Sequence, residues 1–192
     1  MPRSVESHDI SKMVLNAVQE LVLEGGIEAA SYRRVAERAD VTLAMLRSRW
    51  PTHGLLLRSA AWGVQERLLY RMPRATPAGD RRSWAWEVLV SQLPFEEETR
   101  RLTTVWLAYI ARARHVDDEV RRAVEQAHFS REAMCRTVLR SWDVPAEQVP
   151  AEALRLLLLL DGIRVTLCDP TGGLPVERAE EVLRRHLASV AG

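Results

Sequence analysis

Lysine is almost absent from this sequence, cysteine is scarce, and no apolar run approaches the length of a membrane span. Only Lys12 among the 27 basic residues is a lysine. Cys135 and Cys168 form no CxxC pair, which argues against a disulfide scaffold and favours a reducing compartment. The run Leu156–Leu160 is far shorter than the roughly 18 apolar residues that a span needs. Without an apolar core of signal-peptide length near Met1, we expect a cytoplasmic protein that contacts no membrane.

The chain also lacks an excess of charge. Its 27 basic and 26 acidic residues leave a net charge of +1, so any nucleic-acid surface must be a local patch. Hydrophobic residues make up 47% of the 192 residues and charged residues 28%, a globular balance that excludes wholesale disorder.

Helical periodicity extends along the whole chain, with no convincing alternation of the kind strands show. Glycine and proline, nine of each, stand mostly at the ends of periodic segments. The pattern predicts an all-α fold of about nine helices, at residues 7–24, 31–39, 42–50, 52–72, 81–92, 95–114, 118–142, 151–167 and 175–190. Residues 73–80 are predicted to form a loop.

Two short segments, residues 31–39 and 42–50, form a pattern typical of a helix-turn-helix. Ser31 and Thr42 are predicted N-caps, and a tight turn is expected at Asp40. A small core is predicted across the turn, formed by Val35, Ala36, Ala39, Val41 and Leu46. Such a core would hold residues 42–50 outward, where a major groove about 12 Å wide can admit a helix.

Arginine is concentrated in the same region. From Ser31 to Ala60, six arginines stand against two acidic residues, a local surplus of four positive charges. We expect a phosphate backbone to lie against this surface. The alternative is an ordinary helical hairpin whose arginine face is simply solvated.

The stretch from Gly25 to Ala60 resembles the DNA-binding domain of the TetR family of one-component transcriptional regulators. The matching positions are Gly26, Ser31, Val35-Ala36, Ala39-Asp40-Val41-Thr42, Leu46 and Leu56. The departures are Asp40 for the turn glycine, Arg47 for tyrosine, Arg49 for histidine, Trp50 for phenylalanine and His53 for the phosphate-binding lysine. DNA binding is expected to persist, with an altered operator sequence.

The resemblance and the helix-turn-helix geometry together imply roles for individual residues. The side chains expected at base edges are Leu43, Ala44, Arg47 and Ser48. Those expected at the DNA backbone are Ser31, Tyr32, Thr42, Met45, Arg49 and His53. Arg47 is the strongest candidate for a bidentate contact to guanine.

Residues 93–113 and 156–170 resemble the C-terminal domain of the BetI-type branch of the same family. The resemblance depends on Trp106-Leu107-Ala108-Tyr109 and on Asp161-Gly162 within an apolar helix. It implies a three-helix DNA-binding domain at residues 1–53 and a larger helical domain at residues 54–192. The second domain would bind a small-molecule effector and form a dimer.

Aromatic residues suggest where an effector would bind. In the family the pocket lies between helices such as those that carry Trp86 with Leu89 and Trp106 with Tyr109. These four residues are the expected ligand contacts, and His128 and Arg164 are further candidates. Such a pocket would suit a flat apolar molecule or a cation held over an aromatic ring. Core packing is the alternative for each tryptophan.

The last two helices predict a homodimer. Residues 154–167 are apolar nearly all round, and the final helix carries a stripe formed by Val176, Ala179, Val182, Leu183 and Leu187. Two such helices can build a four-helix bundle with a second copy of the chain. A dimer would also present two reading helices about 34–36 Å apart, which matches successive turns of a duplex. The alternative is a monomer with a buried core helix.

No catalytic motif is recognisable. The sequence lacks a nucleophile elbow, a phosphate loop and zinc-ligand spacing, so we expect no enzyme, no cofactor and no metal. A metal-like cluster is formed by His115, Asp117, Asp118 and Glu119, but acidic residues before a helix usually act as caps. The leading hypothesis is a repressor that releases operator DNA on binding a small molecule. The alternative is a helical interaction protein whose degenerate helix-turn-helix no longer binds a specific operator.

Overall fold

The computed structural model describes residues 3–73, 80–113, 118–171 and 173–191, with side chains from residue 9 onward. Within these ranges the chain forms nine α-helices, a 3-10 helix at Ile27–Ala29 and no strand. The helices are α1 (Arg3–Gly25), α2 (Tyr32–Arg38), α3 (Leu43–Arg49), α4 (His53–Tyr70), α5 (Arg81–Ser91), α6 (Glu97–Arg112), α7 (Asp118–Ser141), α8 (Val149–Leu167) and α9 (Val176–Val190). The all-α prediction is confirmed.

The helix ends follow the predicted capping chemistry. The hydroxyls of Ser31 and Thr42 accept the N–H groups of Arg34 and Met45, at 3.5 and 3.1 Å. Gly26 has a φ of 71°, a left-handed conformation that ends α1 without a Cβ clash. The 3-10 helix that follows was not predicted, because three residues are too few to show a period.

Some predictions fall on residues outside the described ranges. They are most of the loop predicted at residues 73–80, and His115 and Asp117 of the acidic cluster. No helix in the described part of the chain is both long and apolar enough to cross a membrane.

The chain divides into two compact units. The first comprises Met1–Glu66 with Thr104–Glu125, and the second comprises Arg67–Thr103 with Gln126–Gly192. Helices α4, α6 and α7 each contribute residues to both units. The boundary predicted between residues 53 and 54 is a different one, because it separates a DNA-binding domain from an effector-binding domain. That division by function stays a prediction.

The first unit contains the helix-turn-helix. Helix α1 contacts α2, and α2 contacts α3. The small core across the turn forms as predicted, with buried side chains at Val35, Ala36, Ala39 and Leu46 and a half-buried one at Val41. Below it lies the buried stripe of α1, formed by Val14, Ala17, Val18, Leu21 and Val22.

The second unit has a core formed by side chains of α5, α7, α8 and α9. One side of α8 fills its centre through Leu156, Leu157 and Leu160. The opposite side of the same helix exposes large apolar residues, among them Leu158 and Val165. The nearly all-round apolar pattern of residues 154–167 therefore forms two surfaces, and only one of them is covered by the described residues.

The turn between α2 and α3 depends on a left-handed residue. Asp40 has a φ of 51°, a region that β-branched residues enter only at a cost of about 1–2 kcal/mol. Asp40→Val is therefore expected to lower the free energy of unfolding by about 1–2 kcal/mol, and Asp40→Gly to change it by less than about 0.5 kcal/mol. Urea unfolding followed by circular dichroism measures both effects.

The control is Glu37→Val, at an exposed position inside α2. It introduces the same side chain at an ordinary helical position, so a cost of no more than about 0.5 kcal/mol is expected. Equal losses at positions 37 and 40 would contradict the assignment of the effect to the left-handed backbone.

Candidate nucleic-acid interface and ligand cavity

Helix α3 presents nearly all of its side chains to solvent. Leu46 is the one residue of this seven-residue helix that is buried. Leu43 and Met45 are 37% and 43% exposed although they are apolar. The other exposed residues are Ala44, Arg47, Ser48 and Arg49. All four residues predicted at base edges therefore lie on an open, partly apolar surface of the kind that marks an interaction site.

Trp50, directly after α3, fixes the end of that helix. Its ring is buried, and the indole N–H donates to the hydroxyl of Ser59 on α4 at 3.0 Å. Its carbonyl accepts a hydrogen bond from the hydroxyl of Tyr32 on α2. The Trp50 ring thus fills space in the core of the first unit, and its indole N–H, which phenylalanine lacks, has a hydrogen-bond acceptor. The outward direction of α3 follows from these contacts together with the buried Leu46.

His53 and Tyr32 each use one polar atom inside the unit. The Nε2 of His53 lies 2.8 Å from the carbonyl oxygen of Ala30, which only accepts, so this nitrogen carries the proton. The two aromatic rings lie 5.7 Å apart. Burial raises the pKa of the Tyr32 hydroxyl, and the positive charge of Arg47 acts in the opposite direction. The tyrosine is therefore a neutral donor near pH 7.

Three of the six arginines between Ser31 and Ala60 are paired with carboxylates. The pairs are Arg34–Glu24, Arg38–Glu20, Arg38–Glu24 and Arg58–Glu119. The hydrogen bond from Arg38 holds the pKa of the Glu24 carboxyl below its usual value. All three glutamates lie outside the stretch whose charges were counted. The expected surplus of four is therefore reduced by residues that are distant in sequence.

The remaining positive charge is concentrated near α3. In the part of the chain that the structure describes, no carboxylate pairs with Arg33 or Arg47. The guanidinium of Arg49 lies 5.9 Å from the centroid of the Trp50 ring. Arg47 is thus an exposed arginine on the outward helix and retains its donors for an external acceptor.

A separate cavity of about 640 Å³ lies in the second unit. Its aromatic lining comes from Tyr70, Trp86 and Phe95. Its charged lining consists of Arg71 and three glutamates, namely Glu87, Glu96 and Glu180. Because Arg71 pairs with Glu96 and Arg184 pairs with Glu180, the negative charge that remains among the described lining residues is that of Glu87. Aromatic faces beside acidic groups suit an organic cation.

Trp86 already accepts a cation on its ring. The guanidinium of Arg184 on α9 lies 4.4 Å from the ring centroid and pairs with Glu180 at 2.9 Å. This distance is within the range of cation–π attraction. One face of Trp86 is therefore occupied by a cation of the chain itself, which shows that this ring holds a positive group.

The six residues predicted to contact a ligand do not meet in this cavity. Trp86 lines it, whereas Leu89 is buried in the core of the second unit. His128 is exposed on α7, and Arg164 is buried with two of its donors directed to Gln92. None of these three residues lines the cavity, because their helix faces point to the core or to solvent.

Trp106 and Tyr109 belong to the first unit and are buried. Within the described residues, the Trp106 indole N–H and the Tyr109 hydroxyl have no hydrogen-bond partner. Burial raises the pKa of the Tyr109 hydroxyl well above its usual value, so it remains a donor. Their role as ligand contacts stays a prediction.

Comparison with known proteins identifies relatives along the whole chain. The C-terminal domain of BetI-type transcriptional repressors matches residues 81–192. The HTH-type transcriptional regulator PksA of Bacillus subtilis (strain 168) is 29% identical over 195 residues, covering 99% of this chain and 94% of that protein.

Solved structures share the fold. A transcriptional regulator from Rhodococcus sp. Rha1 superposes with a TM-score of 0.82 at 22% identity, covering 94% of this chain and 95% of that one. A putative transcriptional regulator from Saccharomonospora viridis, solved in complex with choline, has a TM-score of 0.67 at 17% identity and covers 95% of both chains.

Proposed function

Because the chain belongs to the TetR family of transcriptional regulators, with a C-terminal domain of the BetI type, we propose that it is a cytoplasmic repressor that binds operator DNA as a dimer and releases it when a small molecule binds. The observation that carries the proposal is the outward face of α3, with Leu46 as its single buried residue. The alternative of a degenerate interaction protein is not favoured, since the reading helix is exposed and Arg47 has no carboxylate partner among the described residues.

Two groups of side chains divide the proposed contact with DNA. Leu43, Ala44, Arg47 and Ser48 meet base edges, because they lie on the exposed side of α3. Backbone contacts come from Ser31, Tyr32, Thr42, Met45, Arg49 and His53, which lie on α3 or at the ends of α2, α3 and α4. The caps Ser31 and Thr42 accept through oxygen, so their hydroxyl protons remain available to phosphate.

The first test concerns Arg47. A bidentate arginine–guanine pair contributes about 1–3 kcal/mol of discrimination, so Arg47→Ala is expected to reduce the preference for operator over random DNA by about 5- to 150-fold. Fluorescence anisotropy with DNA from upstream of the gene, titrated over salt concentration, measures both affinities.

The control is Arg67→Ala, which removes the same charge from an arginine paired with Glu98 in the second unit. It is expected to leave the preference unchanged. If Arg47→Ala weakened binding to all sequences equally, the residue would contact phosphate and the base-edge role would be refuted. Wild-type binding with a steep salt dependence and no preference would favour the degenerate module.

Dimerisation is proposed through α8 and α9. Leu154, Leu158 and Val165 are 47%, 60% and 55% exposed and share one side of α8, while Val182 on α9 is 40% exposed. Exposed apolar residues at helical spacing are costly in water and are covered when two copies associate. A two-fold dimer through this face gives each operator half-site its own α3.

Leu158→Arg is therefore expected to convert the dimer to monomer, because it places a charge at the most exposed leucine of α8. Analytical ultracentrifugation measures the change in mass, and operator affinity should fall with it. Leu69→Arg is the matched control, since Leu69 is 43% exposed on α4 and lies outside the proposed interface. A dimer that survives Leu158→Arg, or a monomeric wild type, would rule out this interface.

The proposed effector site is the cavity beside Trp86. Its aromatic and acidic lining suits an organic cation, and a structural neighbour was solved with choline. Helix α4 runs without interruption from His53, shortly after α3, to Tyr70, which lines the cavity. A cation that binds one of two conformations more tightly would shift the population toward that conformation. Helix α4 would transmit the shift to α3, with a coupling free energy of about 1–3 kcal/mol.

Trp86→Ala is expected to abolish a saturable rise in the melting temperature that choline produces in the wild type, because the ring face for the cation is lost. Differential scanning fluorimetry over a choline titration measures the rise. Trp62→Ala removes an indole from a 46% exposed position on α4 and should retain the response. If the Trp86 variant responded like the wild type, the cavity would not be the cation site.

A further inference from the structure

A second charged cluster is buried in the unit formed by Arg67–Thr103 and Gln126–Gly192. Arg131 on α7 and Arg164 on α8 are 5% and 4% exposed. The carboxylate of Asp161 accepts a hydrogen bond from Arg131 at 2.5 Å and lies 3.8 Å from a terminal nitrogen of Arg164. Asp161 is itself 35% exposed, so it is the solvent-facing member of the cluster.

Neutral groups accept hydrogen bonds from two further donors of Arg164. Its Nε donates to the backbone carbonyl of Gln92 at 2.9 Å, and a terminal nitrogen donates to the side-chain oxygen of the same residue at 3.2 Å. The Gln92 side chain in turn donates to the hydroxyl of Ser91. These contacts orient Arg164 and add no negative charge.

The cluster therefore contains two guanidinium groups and one carboxylate. Cys135 is close enough to affect the same charges, but burial raises the pKa of its thiol to about 12, so it is neutral near pH 7. Glu132, the acidic neighbour of Arg131 on α7, pairs with Arg136. Burial and the charge of Arg131 lower the pKa of Arg164 to about 9, which still leaves it mostly protonated at pH 7. One positive charge is left without a counterion.

Arg131 also has an unused donor. In the described portion of the chain, its Nε is buried and has no acceptor. A buried charged donor without a partner is strongly unfavourable, and native proteins provide an acceptor for almost every such group. A partner that accepts hydrogen bonds from a guanidinium group and carries a negative charge would satisfy this donor and balance the extra positive charge.

We propose that Arg131 and Arg164 bind the carboxylate of a small organic molecule, with Asp161 and Gln92 positioning the two guanidinium groups. A carboxylate supplies the missing negative charge, and its two oxygens match the planar donor fork of arginine. The site differs from the Trp86 cavity in the charge of its ligand. It does not rest on the proposed operator binding.

The experiment uses the full-length protein with hexanoate as the probe. Acetate, inorganic phosphate and chloride are compared at constant ionic strength. A saturable rise in melting temperature is expected with hexanoate, larger than with chloride or phosphate. Calorimetric titration should give a dissociation constant that Arg131→Met raises at least tenfold, since this change removes a charged hydrogen-bonding partner.

Stability without any added carboxylate provides a second readout. Arg131→Met leaves one guanidinium opposite Asp161, so the variant is expected to be at least as stable as the wild type. Arg178→Met, at an exposed arginine paired with Glu181, is the control and should keep the hexanoate response. Arg131→Lys keeps the charge but not the fork, and should respond weakly to hexanoate.

Three results would overturn the site. Equal stabilisation by every anion would mean an adventitious ion only. No stabilisation by hexanoate, together with a destabilised Arg131→Met, would mean a structural ion pair with Asp161. A melting temperature that rises with protein concentration but does not respond to hexanoate would identify a carboxylate of a second copy as the partner.

Discussion

The buried contacts of Leu46 and Trp50 are the constraint on which the proposed DNA-reading surface depends. A helix of seven residues does not persist alone in water, because so few hydrogen bonds do not offset the cost of nucleation. Leu46 fixes the inner side of α3, and Trp50 fixes its end through Ser59 and Tyr32. The exposed side of α3 consequently takes no part in packing the core. Each proposed base contact therefore depends on the buried positions of Leu46 and Trp50.

The distribution of charge expected from the sequence differs from the one in the structure. Counting arginines between Ser31 and Ala60 predicts a broad positive surface, yet Glu20, Glu24 and Glu119 neutralise half of them. The second unit contains local charge of both signs, in an acidic aromatic cavity and in a buried arginine cluster, although the net charge of the chain is +1. A nearly neutral total thus conceals local fields of opposite sign.

The helices were predictable from sequence because their signals are local. Ser31 and Thr42 cap helices within three residues, and the period that places Leu46 inward spans a single turn. The cavity was not predictable, because Tyr70, Phe95 and Glu180 come from separate elements and share no period. Of the predicted ligand residues, Trp86 lines it, while Leu89 lies one turn further along α5 and is turned into the core. Helical spacing shows that residues share a side of a helix, but not what that side contacts.

The single inward residue of α3 has a consequence for how such proteins diversify. Substitutions at the six outward positions leave the core of the first unit untouched, so they alter the surface offered to a duplex with little loss of stability. Arg47 and Arg49 stand at such positions, where the resemblance to the TetR family leads one to expect other side chains. If these positions contact bases as proposed, a lineage can acquire a new target sequence in single substitutions, each of which yields a folded protein.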